Sequence, residues 1–281
     1  MERYAPAQIR NVALVAHSGA GKTSLAEALH FVTGKASRLG RVEDGNTISD
    51  FDPDEIQRRI SINVAVVPCE WRRCKVNVLD TPGYADFVAE VIGGLHAADA
   101  ALVVIDATAG IQVGTETVWK LAAGHKLPCW IVVNRMDREN VAWGALVDAL
   151  RARFGGRVAP LQTPIGDGHH FAGVVDLLER KALMFEDHES SVQDVPPALA
   201  SAVDQEREQL VDAIAATDDA LLEKYLEGQP LAREDLEPAL KAAIREGKLY
   251  PVCCTAATTL RGVRELLDAL VALAPSPAEA S

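Results

Sequence analysis

Short runs of apolar, largely β-branched residues recur along the chain, separated by amphipathic stretches with a helical period. This alternation predicts an α/β protein with a doubly wound, mostly parallel sheet. Strands are predicted at residues 11–16, 62–69, 75–80, 100–106, 130–134 and 250–254, and five of these are unbroken apolar runs, the mark of strands covered on both faces. The link 70–74 is too short to hold a crossover helix, so the strands it joins are predicted to be the one antiparallel pair. Helices are predicted at 22–31, 85–95, 115–123, 141–154 and 262–273.

Between 157 and 248 the rhythm changes. Short strands at 161–165, 171–177 and 182–185 surround a turn at 166–170, and helical stretches follow at 197–216, 220–226 and 233–245. From Glu186 to Glu246 about sixteen acidic residues stand against about five basic ones, which sets this segment apart from the rest. The strand at 250–254 and the last helix complete the main sheet after it. The segment therefore reads as an inserted acidic α+β subdomain (157–248) in a domain made of 1–156 and 249–275, with 276–281 starting a linker. An independent second domain is the alternative.

Composition narrows the picture. In 281 residues, 48% are hydrophobic and 24% charged, enough for a packed core. A net charge of −12 argues against binding free DNA, because neutralising phosphates takes surplus cations. Only the short runs Arg58-Arg59 and Arg72-Arg73-Lys75 are suited to RNA phosphates. Five cysteines without a CxxC pair suggest reduced, buried thiols rather than zinc or disulfides, and Cys69 and Cys74 would pair only under oxidation. No signal core or membrane-length apolar run is present, so a cytoplasmic protein without a membrane partner is expected.

The candidate chemistry begins where the first strand runs into Ala16-His17-Ser18-Gly19-Ala20-Gly21-Lys22-Thr23, with Ser24 in the helix that follows. Strand, glycine-bearing loop and helix in this order form a P-loop. Gly19 and Gly21 let successive N–H groups face phosphate oxygens, and the helix N-terminus adds partial positive charge. Lys22 is the candidate bridge to the β- and γ-phosphates, and the Thr23 hydroxyl a Mg²⁺ ligand. The usual leading glycine is Ala16 here.

Two later strand ends supply the remaining parts. Asp80-Thr81-Pro82-Gly83 ends the strand at 75–80: a carboxylate there sits beside the P-loop and can hold Mg²⁺, while Gly83 can bring an N–H to the γ-phosphate. Asn134-Arg135-Met136-Asp137 follows the strand at 130–134. Its carboxylate can accept two hydrogen bonds from guanine N1–H and the exocyclic amine, which adenine cannot offer. GTP/GDP and Mg²⁺ are the expected ligands.

The series AHSGAGKTS, QRRISI, DTPGY, NRMD and PVCCTAATTLRGV, with DTPGYADFVAEV, DATAGIQVGTETVW and LEKYLEG around it, resembles the GTPase domain of elongation factor G over essentially the whole chain. The resemblance implies a P-loop GTPase fold with an insertion before the last strand. It implies that Ser61 stands where a first-switch threonine ligates Mg²⁺. Arg135 replaces a lysine whose stem covers the base, and Ala256 replaces a serine, leaving the Ala257 N–H to meet the guanine carbonyl. The ribosome is the implied partner, with ribosomal RNA near the switches and the stalk protein on the acidic insert; a monomer is expected. The closing ALAPSP resembles the point where a β-barrel domain follows, so a fragment or an unusual stand-alone protein is implied.

Three departures bear on chemistry. Tyr84 stands where the family has the histidine that places the attacking water; a phenol stays neutral and offers one hydrogen bond. Arg59 replaces a glycine and Gly19 an aspartate tied to a monovalent cation. With Lys22, Gly83 and Tyr84 as catalytic candidates, the expectation is slowed GTP hydrolysis in a switch domain. The alternatives are a GTP sensor with little turnover and a P-loop ATPase or kinase.

Overall fold

The fold is taken from a computed structural model, which describes residues 3–186 and 189–279. Asp187 of the predicted acidic segment and the last two residues of the predicted linker lie outside the described residues. Seven strands build the main sheet: β1 (Ile9–Ala16), β2 (Ala65–Trp71), β3 (Cys74–Asp80), β4 (Ala100–Asp106), β5 (Cys129–Asn134), β6 (Val158–Pro160) and β11 (Tyr250–Cys254). Their order is β2-β3-β1-β4-β5-β11-β6. Only β2 and β3 run antiparallel, with Trp71 opposite Cys74 across the tight link; the other pairs are parallel.

Both faces of this sheet are covered. In β1 successive side chains alternate: Val12, Leu14 and Ala16 pack with Leu25 and Leu29 of α1 (Lys22–Val32) and with Leu266 and Leu270 of α9 (Val263–Leu273). Ala13 and Val15 face Val91 and Leu95 of α3 (Val88–Ala97), Val118 of α4 (Val113–Gly124) and Leu150 of α5 (Trp143–Phe154). Every residue of β4 and β5 is buried, which accounts for their unbroken apolar runs. Each large aliphatic side chain buried this way stabilises the fold by about 1.5–3 kcal/mol.

A second sheet, in the order β10-β9-β8-β7, is wholly antiparallel. It comprises β7 (Gln162–Ile165), β8 (Gly173–Asp176), β9 (Lys181–Glu186) and β10 (Glu189–Gln193). Helices α6 (Ala200–Ala215), α7 (Asp219–Leu226) and α8 (Arg233–Arg245) complete the insert, with Leu210, Ile214, Leu221, Leu236 and Leu240 in its core.

The observed elements differ from the sequence expectations in several places; the strand predicted at 62–69, for one, runs at Ala65–Trp71. The chain does not leave the main sheet at 157, because β6 pairs with β11 through Val158 and Tyr250. The polar strand β10 carries no apolar alternation, and its sequence pattern does not announce it. The helix predicted from 85 starts at Val88 after a 3₁₀ turn. Helix α2 (Pro53–Arg58) lies in a stretch for which the apolar pattern predicts no element. Its cause is local. Asp52 accepts from the Asp54 N–H at 2.9 Å, Glu55 reaches back to the Asp52 N–H at 3.1 Å, and Pro53 takes the first helical position.

Candidate functional site

The carboxyl ends of β1, β3, β5 and β11 gather the loops that matter, as open parallel sheets do. Ala16 is the last residue of β1, paired with Val104 and buried in the core, so the loop turns without a glycine there. Gly19 and Gly21 take φ of +82° and +93°, a region that side chains disfavour. Gly21 is required twice over, because a Cβ there would sit 2.6 Å from Asn134 Nδ2. Lys22 opens α1, and its Nζ lies beside Gly83, where a Cβ would come within 2.7 Å of it. Thr81 is fixed by a 2.6 Å hydrogen bond from its hydroxyl to the Leu14 carbonyl, which holds the segment after β3 against β1 just before the P-loop.

A cleft of about 240 Å³ opens over this loop. Ser18, Gly19, Gly21, Lys22, Thr23 and Ser24 line it together with Val42, Glu43, Asp50, Arg59, Ile60 and Ser61, and with Gly83, Tyr84 and Arg135. The first-switch segment is held over the cleft by three carboxylates. Glu27 of α1 accepts the N–H groups of Gly40, at 3.1 Å, and Ile48. Glu55 accepts those of Ile62 and Asn63 at 2.9 Å each, and Glu90 of α3 accepts that of Val64 at 3.0 Å. The outcome is that Ser61 Oγ lies 3.1 Å from Thr23 Oγ1.

Asp80 sits beneath, 1% exposed. Ser49 donates to its Oδ2 at 2.9 Å, while Oδ1 is buried with no hydrogen-bond partner among the described residues. Burial pushes this carboxyl up to about 6, against the pull of the Lys22 ammonium and of the Thr23 and Ser49 hydroxyls. Burial likewise lowers Lys22 from its ordinary value, opposed by Asp80 and Asp50. Asp50 is raised, again chiefly by burial. Thr23, Ser61, Asp80 and Asp50 make an all-oxygen donor set, the hard chemistry that suits Mg²⁺. The orphaned Asp80 oxygen is an acceptor such an ion, or its water, would satisfy.

At the other end, Asn134 of β5 is a tie bar. Its amide donates to the carbonyls of Ala20, at 3.3 Å, and Gly21, at 3.4 Å. Its Oδ1 accepts from Thr255 Oγ1 at 3.2 Å and from the Ala257 N–H at 3.1 Å. The N–H expected to meet a guanine carbonyl is thus taken by Asn134 in this structure, and the Ala256 N–H is given to the Arg261 carbonyl at 2.8 Å. Asp137 accepts from Thr259 Oγ1 at 3.1 Å. Met136 is wholly buried, its N–H on the Thr255 carbonyl at 3.1 Å, so it braces the loop from the core. Arg135 lines the cleft, but its guanidinium is held 2.6 Å from Asp106 Oδ2. Burial opposes ionisation of Asp106, yet Thr108 and Arg135 outweigh it and hold the carboxyl below the usual range.

Of the residues singled out from sequence, His17 is directed elsewhere. Its ring faces α4, where a Cβ on Gly114 would meet Nδ1 at 2.5 Å, and it lines a neighbouring apolar hollow with Val113 and Leu121. Ala20 and Pro82 are buried and act through the backbone or by packing. Sequence reading misses Ser49, Asp50, Glu27, Glu90, Thr255 and Thr259. The one legible hint is the polar TISD stretch beside QRRISI; the others take their roles from tertiary placement alone.

A P-loop beside a buried carboxylate, an Asn-x-x-Asp loop on the adjoining strand ends, and a first-switch segment reaching the P-loop threonine define a switch-type P-loop nucleotide-binding domain. The sequence profile of the Elongation factor Tu GTP binding domain family matches residues 7–276, and the chain belongs to that family. It is 37% identical over 273 residues to elongation factor G of Thermotoga maritima, covering 96% of this chain and 40% of that protein. Elongation factor G of Thermotoga petrophila is also 37% identical, with 39% of its length covered. The crystal structure of a Thermus thermophilus protein superposes with a TM-score of 0.92 at 42% identity, covering 97% of this chain and 41% of that one. The chain spans about two fifths of the length of the relatives it matches. Among the described residues no helix is long and apolar enough to cross a membrane.

Proposed function

We propose that this chain is the GTP-hydrolysing switch domain of an elongation factor G-like translation factor acting on the ribosome in translocation or recycling. The observation that carries this reading is the convergence of Lys22, Thr23, Ser61, Gly83 and Tyr84 on one cleft, with Asp80 buried below it and Asn134 bracing its floor. Lys22 and the P-loop N–H groups bind the β- and γ-phosphates, and the Gly83 N–H adds a donor at the γ-phosphate. Thr23, Ser61 and Asp80 would hold Mg²⁺, which when bound neutralises charge on the phosphate oxygens. Tyr84, 44% exposed at the cleft mouth, is placed to orient the attacking water but not to bring positive charge. Asp137 reads guanine once the base displaces Thr259. The acidic insert, whose surface favours a basic partner, is the surface proposed for the ribosomal stalk. The main domain and the insert act as separate functional units in a monomer in the cytoplasm.

Single-turnover GTP hydrolysis at fixed Mg²⁺, with and without ribosomes, tests this reading. GTP bound in preference to ATP and hydrolysed faster with ribosomes is the expected result. ATP matching GTP in affinity would end the guanine assignment. GTP bound but not hydrolysed under either condition would favour the second reading, a regulatory module, which Tyr84 in place of a histidine supports.

A further inference from the structure

Arg59 closes α2 at φ +57°, a left-handed conformation that an ordinary side chain disfavours. Glycine would sit there without strain. The arginine nevertheless lines the same cleft as Lys22, Gly83 and Tyr84. It stands two residues before Ser61, at most about 7 Å along the backbone, and Ser61 Oγ meets the P-loop Thr23. This places Arg59 at the γ-phosphate end rather than the base end. Its neighbour Arg58 does not line the cleft. Arg135, the other arginine of the cleft, is neutralised by Asp106. The Arg59 backbone N–H caps α2 on the Glu55 carbonyl, while its guanidinium has no hydrogen bond or ion pair among the described residues.

An exposed guanidinium without a partner among the described residues, at a strained position in the lining of the cleft, is poised for an anion. We propose that Arg59 contacts the γ-phosphoryl group of GTP and stabilises the charge that develops during its hydrolysis, supplying in cis the positive charge that Tyr84 cannot. In that step the water oxygen bonds to the γ-phosphorus as the bond to the β–γ bridging oxygen breaks. GDP departs, and the water protons pass to inorganic phosphate and solvent. Charge spreads over the equatorial oxygens at that moment, and a planar guanidinium matches two of them. The inference rests on the GTPase reading above.

The test uses the whole chain with Arg59→Ala, Arg59→Lys and Arg59→Gly variants. It reads GDP affinity, trapping of GDP with aluminium fluoride as a mimic of the transferring phosphoryl group, and single-turnover hydrolysis. The expected result is GDP affinity unchanged within about twofold, since the diphosphate lacks the contacted group. Trapping and hydrolysis should fall by about 10- to 100-fold in the Ala and Gly variants, with partial retention in Lys. The Gly variant removes the backbone strain, so it should melt no lower than the parent while losing the same activity, which separates a chemical role from a structural one. Equal trapping in parent and Ala variant would overturn the proposal. So would a parent that binds GDP but neither traps nor hydrolyses, leaving the binding reading intact. A parent with no affinity for guanine nucleotides would instead overturn the function on which the proposal stands.

Discussion

The two ends of the cleft are prepared in opposite ways. At the phosphate end, polar groups are buried without full satisfaction: Asp80 Oδ1 has no hydrogen-bond partner among the described residues, and Lys22 and Asp80 are both displaced from their ordinary titration by burial. At the base end the named groups are already engaged. Asn134 spans four partners, Asp137 holds Thr259 and Arg135 holds Asp106. The phosphate end therefore gains from ligand directly, because unpaired buried polarity is costly. The base end must exchange one set of hydrogen bonds for another, so it contributes discrimination more than affinity.

The sharpest way to break this contrast is Lys22→Ala. Removing one partner of a buried charge pair costs about 2–5 kcal/mol, so GTP and GDP affinities measured by titration calorimetry should fall by about 100-fold or more. A change under threefold would show that the phosphate end is not the source of binding energy. Asp80 gives the next largest effect, through pH. Its folded value near 6 stands above the ordinary 3.8, so between about pH 4 and 6 the folded domain holds a proton that the unfolded chain has released. Stability contributed by this group is thus present at low pH and lost as pH rises through 6, by about 3 kcal/mol. Asp80→Asn should gain that amount on the parent between pH 4 and pH 7 in urea unfolding without nucleotide; parallel profiles would refute the buried orphan. Asp137→Ala should leave phosphate binding intact but reduce the GTP-over-ATP preference by about 30-fold, read by nucleotide competition. The smallest effect is expected for Tyr84→His: about a tenfold faster single turnover, with GTP affinity unchanged. An unaltered rate would mean that water placement does not limit the chemistry.

The chemistry-bearing loops are legible in the sequence because each sits at the end of a buried strand, and buried parallel strands announce themselves as apolar runs. Ala100–Asp106 and Tyr250–Cys254 are bounded to the residue for that reason. β10 is not legible, since Glu189–Gln193 is a polar strand whose pairing with β9 depends on a neighbour rather than on its own pattern. Helix α2 does carry a signal, the capping signature Asp-Pro-x-Glu, but it is short and lies beside a charge run that draws the eye to solvent. In the site, Lys22, Thr23 and Asp80 are legible from motif and spacing, and Ser61 through the family resemblance. Glu27 and Glu90 are not, because a carboxylate that captures distant backbone N–H groups leaves no trace in its own surroundings. The engagement of the Ala257 N–H by Asn134 is equally hidden: both residues stand out in the sequence, but their meeting is a matter of three-dimensional convergence.

The short run from β6 to β7 has a mechanical consequence. A single residue, Leu161, separates the two strands, and its backbone is bonded on both sides: its N–H to the Val252 carbonyl at 3.0 Å, its carbonyl to the Leu177 N–H at 3.0 Å. The next residue, Gln162, accepts the Cys254 N–H at 3.2 Å, one position before the threonine that grips Asn134. The insert is therefore joined to the main sheet by direct hydrogen bonds rather than by slack chain, at the strand that leads into Thr255 and its contact with Asn134.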